Sequence, residues 1–242
     1  MATDSEQSRI SKKERKELKK QEKLESQQKK TRAQRFKRIV GWLLGAAAVI
    51  GLIVFFKFAF TPTGENNDPV MTQVAADDWV KGASESANLL VEYADFQCPA
   101  CAEYYPIVKR LGEERTDVRI AYRHLPLRTI HANAQLAAQA AEAAGIQEKF
   151  WEMHNTLYEN QTEWAEQKEP TEQFVLYAES LALDTDQFRA DLTSDVVKQK
   201  VDTAYDSAVR FGIDSTPTFF LNGKRIQPRN YDGFVKLLEE NN

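Results

Sequence analysis

The chain has 242 residues and a net charge of −4, enough length for one ordinary domain plus additional segments. Its two cysteines and three histidines include no second CxxC and no HxxxH, which argues against a zinc site. The charge is polarised: residues 1–38 hold 14 basic and 6 acidic residues, a net of +8, whereas the remainder holds 18 basic and 30 acidic residues, a net of −12.

Residues 1–38 have few apolar positions and no helical stripe. They read as a basic cytoplasmic tail that rests against anionic headgroups. No aromatic residues are interleaved with the cations as base stacking would require, so no nucleic-acid partner is expected. Residues 39–60 contain one charge, Lys57, within an apolar run that includes Leu43, Leu44, Val49, Ile50, Leu52, Ile53, Val54, Phe55 and Phe56. As a helix the segment would measure roughly 33 Å, against ~30 Å of bilayer hydrocarbon. Arg35, Lys37 and Arg38 precede it and no Lys or Arg follows before Asp68. The positive-inside rule therefore predicts a single-pass, uncleaved signal-anchor in the cytoplasmic membrane, with the N-terminus in the cytoplasm and the catalytic domain outside. Residues 61–76, with Pro62, Gly64, Asn66, Asn67, Asp68 and Pro69, read as a flexible tether.

The folded domain is expected over 77–242. Asn88–Tyr93 is strand-like and Pro99–Glu114 helical. Val118–His124 alternates as a strand, so the opening unit is β-α-β with parallel strands. A helical block follows over about 129–211. It comprises His131–Ala144 stopping at Gly145, then Phe150, Trp151, His154, Leu157 and Tyr158 at helical spacing, then Pro170–Leu183. Asp184, with Gln187 three residues on, reads as the N-cap of a helix carrying Phe188, Leu192, Val196, Val197, Val201, Ala204, Tyr205 and Ala208, closed by Gly212. His131 and His154 read as packing or capping residues. Thr218–Leu221 and Lys224–Ile226 flank Asn222-Gly223, a hairpin signal, and Asn230–Glu240 forms a closing helix. The fold class is α/β: a mixed sheet, β-α-β then β-β-α, with an inserted helical domain.

Both cysteines fall in Cys98-Pro99-Ala100-Cys101, where a strand hands over to a helix. Pro99 occupies the first helical position, where a missing N–H costs nothing. The helix N-terminus presents free N–H groups and a positive dipole end, which stabilise a thiolate at Cys98. A bridge across so short a loop gains little closure entropy, so the pair is better suited to redox exchange than to stapling.

Three stretches together resemble the DsbA-type thiol–disulfide oxidoreductases of the thioredoxin superfamily, in their membrane-anchored bacterial form: Val91 to Cys101, His131 to Trp164, and Ser215-Thr216-Pro217-Thr218-Phe219-Phe220-Leu221-Asn222-Gly223. The likeness runs from about Asp78 to Leu238 in family order. It implies that Cys98 is the exposed nucleophile and Cys101 its buried partner, and that Pro217 is cis and faces them, with Thr216 before it. It also implies that Glu92 is a buried acid aiding proton transfer. No cofactor is implied beyond the redox-active Cys98–Cys101 disulfide. The implied partners are reduced unfolded proteins and a membrane quinone-linked thiol oxidase, with the chain a monomer. The expected function is donation of that disulfide to secreted or membrane proteins. A reductase or isomerase, or a tethered peptide-binding chaperone, are the alternatives. Ala100 departs from strongly oxidising members, which carry His there, so a weaker oxidant is expected.

Overall fold

The computed structural model describes residues 69–83 and 85–241. The basic tail, the expected span over 39–60 and most of the expected tether lie outside the described residues. Among the described residues no helix is long and apolar enough to cross a membrane.

A five-stranded mixed sheet forms the frame. Its strands are β1 (Trp79–Gly82), β2 (Leu89–Ala94), β3 (Arg119–His124), β4 (Thr218–Leu221) and β5 (Lys224–Ile226), in the order β1-β3-β2-β4-β5. β2 and β3 run parallel, with Leu90 opposite Ile120 and Ala94 opposite His124. The crossover between them is the long helix α2 (Pro99–Glu114), after a short α1 (Pro69–Thr72) at the start of the described chain. β4 lies antiparallel to β2, pairing Glu92 with Phe219, and turns back into β5. The turn residues Asn222 and Gly223 both have positive φ, 51° and 84°, as a two-residue hairpin turn requires.

β2 is central and every residue of it is buried. Its alternation splits the sheet into two apolar faces. Leu90 packs with Ile120, Phe219 and Leu221 beneath Val108 and Leu111 of α2 and Phe234 and Leu238 of the last helix, α9 (Tyr231–Glu239). Leu89, Val91 and Tyr93 face the other way, onto Phe220, Ala208, Ile213 and Met71. Burying a side chain of this size contributes roughly 1.5–3 kcal/mol, so the inner strand sustains the fold.

Between β3 and β4 lie α3 (Ala134–Ile146), α4 (Phe150–Glu159), α5 (Gln161–Trp164), α6 (Thr171–Ser180), α7 (Thr185–Leu192) and α8 (Asp195–Arg210). Their shared core holds Phe150, Met153, Leu157, Trp164, Phe174, Phe188 and Leu192.

Five particulars depart from the sequence reading. The stretch read as tether ends inside the folded unit, because Met71 is fully buried against Tyr93, whose hydroxyl points at its sulfur. β1 was not anticipated. It is four residues long and antiparallel to β3, and its Lys81-Gly82 ending hides any alternation. Gly145 does not stop α3 but sits within it, and the left-handed exit falls on Glu148, at φ 62°. The helix expected from Asp184 through Ala208 is two helices. Asp184 caps the first through its carboxylate, while Ser194, extended at φ −68° and ψ 147°, accepts the Val197 N–H and starts the second. His131 lies in the turn before α3 rather than in a helix.

Candidate active site

Cys98 is the N-cap of α2 and Pro99 its first residue. No side chain caps this helix, so its first N–H groups remain available to the cysteine sulfur. Cys101 lies one turn on and is fully covered, whereas Cys98 is 7% exposed. Cys98 is thus the more open of the two but far from bare. The two cysteines are not joined to one another in this structure.

The peptide bond between Thr216 and Pro217 is cis, and the Cys98 Sγ lies 3.5 Å from the Thr216 carbonyl oxygen. The Thr216 hydroxyl is buried and has no hydrogen-bond partner within ordinary bonding geometry. The Cys98 thiol is pulled down to about 5. The largest cause is the hydrogen bond from the Cys101 thiol. Partial burial opposes it, and the backbone N–H groups of Cys101 and Ala100 add to it. The value lies between the ~7 and ~3.5 that bracket related CxxC proteins. Cys101 moves the other way. Burial lifts its thiol well above the ordinary value, its contact with Cys98 and the charge of Glu92 add to the rise, and the Asp95 backbone amide works against it. One sulfur is therefore held as a thiolate and the other as a thiol.

Glu92 is buried on the central strand, 4% exposed. Burial raises its carboxyl to about 7, and the nearby Lys81 charge moderates the rise. Lys81 itself is pushed down, chiefly by burial, with Glu92 opposing. Its ammonium lies 4.5 Å above the Trp151 ring and its stem passes Gly112 of α2. Near neutrality Glu92 is thus poised between its protonated and charged forms, beneath the cysteine-bearing helix.

Several residues that hold the loop escaped the sequence reading. Asp95 is buried. Its carboxylate accepts from the N–H of Gln97 at 2.8 Å, from the N–H of Leu127 at 2.8 Å and from His131 Nδ1 at 2.7 Å. Its carbonyl accepts the Cys98 N–H at 3.1 Å. Gln97 accepts from the Asn133 N–H at 2.6 Å and donates to the Ala165 carbonyl at 2.7 Å. Gln161 donates to the carbonyls of Phe96 and Cys98, at 2.7 and 3.0 Å. The inserted helices thus clamp the cysteine loop through polar side chains. Phe96 anchors it from below, against Tyr122 and Tyr158, with ring centroids 5.3 and 5.0 Å apart.

The histidines divide by role. His154 is buried among Phe96, Tyr105, Tyr122 and Trp151, and burial holds its pKa well below the ordinary value, so it packs as a neutral ring. His124 bonds Glu142 at 2.9 Å, and His131 is tied to Asp95 rather than packed.

Beside Pro217 lies a cleft of about 320 Å³, lined by Tyr104, Pro217, Phe219, Ile226, Gln227, Pro228 and Arg229. Among the described residues no cluster of histidine, cysteine and carboxylate groups could hold a metal ion.

The sequence model of the thioredoxin family matches residues 75–240. Matching curated relatives include the Na(+)/H(+) antiporter NhaA 3 of Salinispora tropica, 43% identical over 148 residues, which are 61% of this chain and 22% of that protein. They also include NhaA of Herminiimonas arsenicoxydans, 32% identical over 201 residues, which are 79% of this chain and 29% of that protein. The chain therefore spans less than a third of the length of these relatives. Among solved structures, oxidised BdbD from Bacillus subtilis superimposes with a TM-score of 0.61 at 22% identity, over 68% of this chain and 92% of that one. The alpha-DsbA1 of Wolbachia pipientis gives 0.61 at 18% identity, over 69% and 92%. A thioredoxin-like oxidoreductase from Silicibacter pomeroyi gives 0.60 at 22% identity, over 72% and 97%. At these identities the likeness is one of fold: a thioredoxin sheet with a helical insertion.

Proposed function

The chain belongs to the thioredoxin family, and from that premise we propose that it is an extracytoplasmic thiol–disulfide oxidoreductase that donates a Cys98–Cys101 disulfide to reduced proteins. The observation that carries this reading is the geometry of the pair: Cys98 at the N-cap of α2, 3.5 Å from the carbonyl of Thr216 beside Pro217, with Cys101 fully covered one turn on.

The exchange balances as follows. A substrate thiolate attacks Cys98 Sγ, the Cys98–Cys101 bond breaks, and Cys101 leaves with the electron pair. Cys101 then takes a proton, for which Glu92, raised to about 7, is the nearby buried acid. A second substrate thiolate attacks the substrate sulfur of the mixed disulfide. Cys98 leaves as a stabilised thiolate, and the substrate keeps a new disulfide. Two electrons have passed to the enzyme. A membrane quinone-linked thiol oxidase would remove them. The cleft beside Pro217, lined by Tyr104, Phe219, Ile226 and Pro228, suits an extended peptide laid next to the cysteines.

The apolar run 39–60, with Arg35, Lys37 and Arg38 before it, supports a single membrane anchor with this domain outside. That compartment favours oxidation. Antiport is not part of this reading, since the chain covers only 22% and 29% of the antiporters it matches.

The test is the full chain with a reduced dithiol peptide. Wild type is expected to oxidise it stoichiometrically from the disulfide form, and Cys98→Ala to be inert. Equal rates for the two would overturn the reading. The reduction potential separates the alternatives: a value towards ~−120 mV marks an oxidant and one towards ~−270 mV a reductase. Activity that survives Cys98→Ser and Cys101→Ser would instead mark a peptide-binding chaperone.

A further inference from the structure

Asp95 occupies an unusual position for a carboxylate. Its side chain is completely covered, yet its backbone serves both cysteines. The carbonyl takes the Cys98 N–H at 3.1 Å, and the backbone of Asp95 opposes the rise of the Cys101 thiol. The carboxylate makes three contacts that fix this backbone: Gln97 and Leu127 supply main-chain N–H groups, and His131 supplies Nδ1. Because a carboxylate only accepts, the network assigns the proton of the third contact to His131 Nδ1. His131 is 15% exposed at its side chain, so the imidazole links the covered carboxylate to the surface. Its own backbone N–H is held by the Leu127 carbonyl at 2.9 Å, which fixes the ring from the other end of the turn.

We propose that Asp95 and His131 form a positioning pair that holds the Asp95 backbone against the Cys98 N–H and thereby sets the reactivity of Cys98. This inference rests on the oxidoreductase reading. The physical reason is the cost of a buried charge. A covered carboxylate is stable only with its donors in place. Removing the imidazole takes one of three donors from a covered carboxylate, so the turn that holds the Cys98 N–H shifts and the donors around the sulfur shift with it. It also frees the turn that presents Asp95 to the loop. A small displacement of a reacting group costs rate steeply.

The test compares full-length wild type, His131→Ala and His131→Asn. The Asn amide nitrogen can donate from near the Nδ1 position. Two readouts are taken: the rate of oxidation of a reduced dithiol peptide, and the pH profile of Cys98 alkylation by iodoacetamide. Cys101 and Glu92 are unchanged throughout. His131→Ala is expected to slow peptide oxidation about tenfold and to move the alkylation midpoint up by about one pH unit. His131→Asn is expected to restore most of both. A folded His131→Ala with wild-type rate and profile overturns the proposal, as does His131→Asn behaving like His131→Ala. Should His131→Ala fail to fold, His131→Leu, which fills space without donating, takes its place against His131→Asn. If wild type does not oxidise the peptide but the alkylation midpoint still shifts and is rescued, the oxidoreductase reading falls and the positioning role stands.

Discussion

The indole of Trp79 lies directly against Gly145: a Cβ added at Gly145 would overlap Trp79 Cζ2 and stand 2.7 Å from Cη2. Trp79 also stacks on Phe150 at 4.4 Å, donates its N–H to Glu142 at 2.8 Å and carries the Lys200 ammonium 4.4 Å above its ring. A four-residue edge strand thus latches onto the inserted helices through one side chain.

Gly145→Ala tests this latch with a definite sign. In an unhindered helix interior the change stabilises by roughly 0.5–1 kcal/mol. Here overpacking against the indole is expected to cost about 1–3 kcal/mol instead. Thermal unfolding should show a midpoint lower by several degrees, about 2–4 °C per kcal/mol for a domain of this size. A raised midpoint would mean that Trp79 moves aside freely.

Cys98 is expected to titrate near 5 when followed by thiolate absorbance or alkylation. Replacing Cys101 with Ala should raise the midpoint, because the Cys101 thiol is the largest stabilising contact. The stability consequence has a fixed sign. A depressed thiol adds stability to the reduced fold that is complete above the unfolded thiol range, about 8.5, and is lost as pH falls towards 5. The oxidised chain has no such term. Denaturant unfolding of both forms should therefore show the reduced form losing its relative advantage on acidification.

Glu92 predicts the opposite trend. Its carboxyl is raised to about 7, so ionising it opposes folding, and the cost grows as pH rises from the ordinary carboxylate range to about 7. Glu92→Gln should therefore be favoured over wild type at higher pH relative to acid, by on the order of 2 kcal/mol. The same variant should slow mixed-disulfide formation, because Cys101 loses its nearby proton source. An unchanged rate across pH would remove Glu92 from the chemistry.

Glu142 is buried, with Trp79 and His124 on one oxygen and Lys200 on the other, at 2.8, 2.9 and 2.6 Å. Burial alone would raise its carboxyl, but His124 and then Lys200 outweigh it and hold it below the usual range. Glu142→Ala should cost about 3 kcal/mol or more, since it strands buried donors. The lowered carboxyl contributes stability that is present above about pH 4.3 and lost as pH falls through its folded value. The gap between wild type and variant should accordingly narrow in acid, which urea titration at two pH values can measure.

Much of the frame could be read in advance because it is written locally. The Cys98-Pro99 handover, the Asp184 cap, the Asn222-Gly223 turn and the apolar spacing of Phe234 and Leu238 each declare themselves within a few residues. What escaped depends on distant partners. β1 exists because β3 offers it an edge, not because Trp79-Val80-Lys81-Gly82 alternates. Gly145 is small because an indole lies on it, although its sequence position suggests a helix stop. Ser194 reads equally well as an exposed helix residue until Val197 is seen to donate to it. In the site, the two cysteines carry their own signature, but Asp95 and His131 are 36 positions apart and their contact is visible only in the fold.

Gln97 and Asn133 grip the insertion by main-chain carbonyls, those of Trp164, Ala165 and Gln167, rather than by side chains. A carbonyl is present whatever residue supplies it. Position 167, which is exposed, can therefore accept a new side chain, including a fluorophore or a cross-linker near the cysteine loop, without giving up the clamp. The same property lets the surface at that position change in sequence while the backbone geometry of the cysteine loop stays constant.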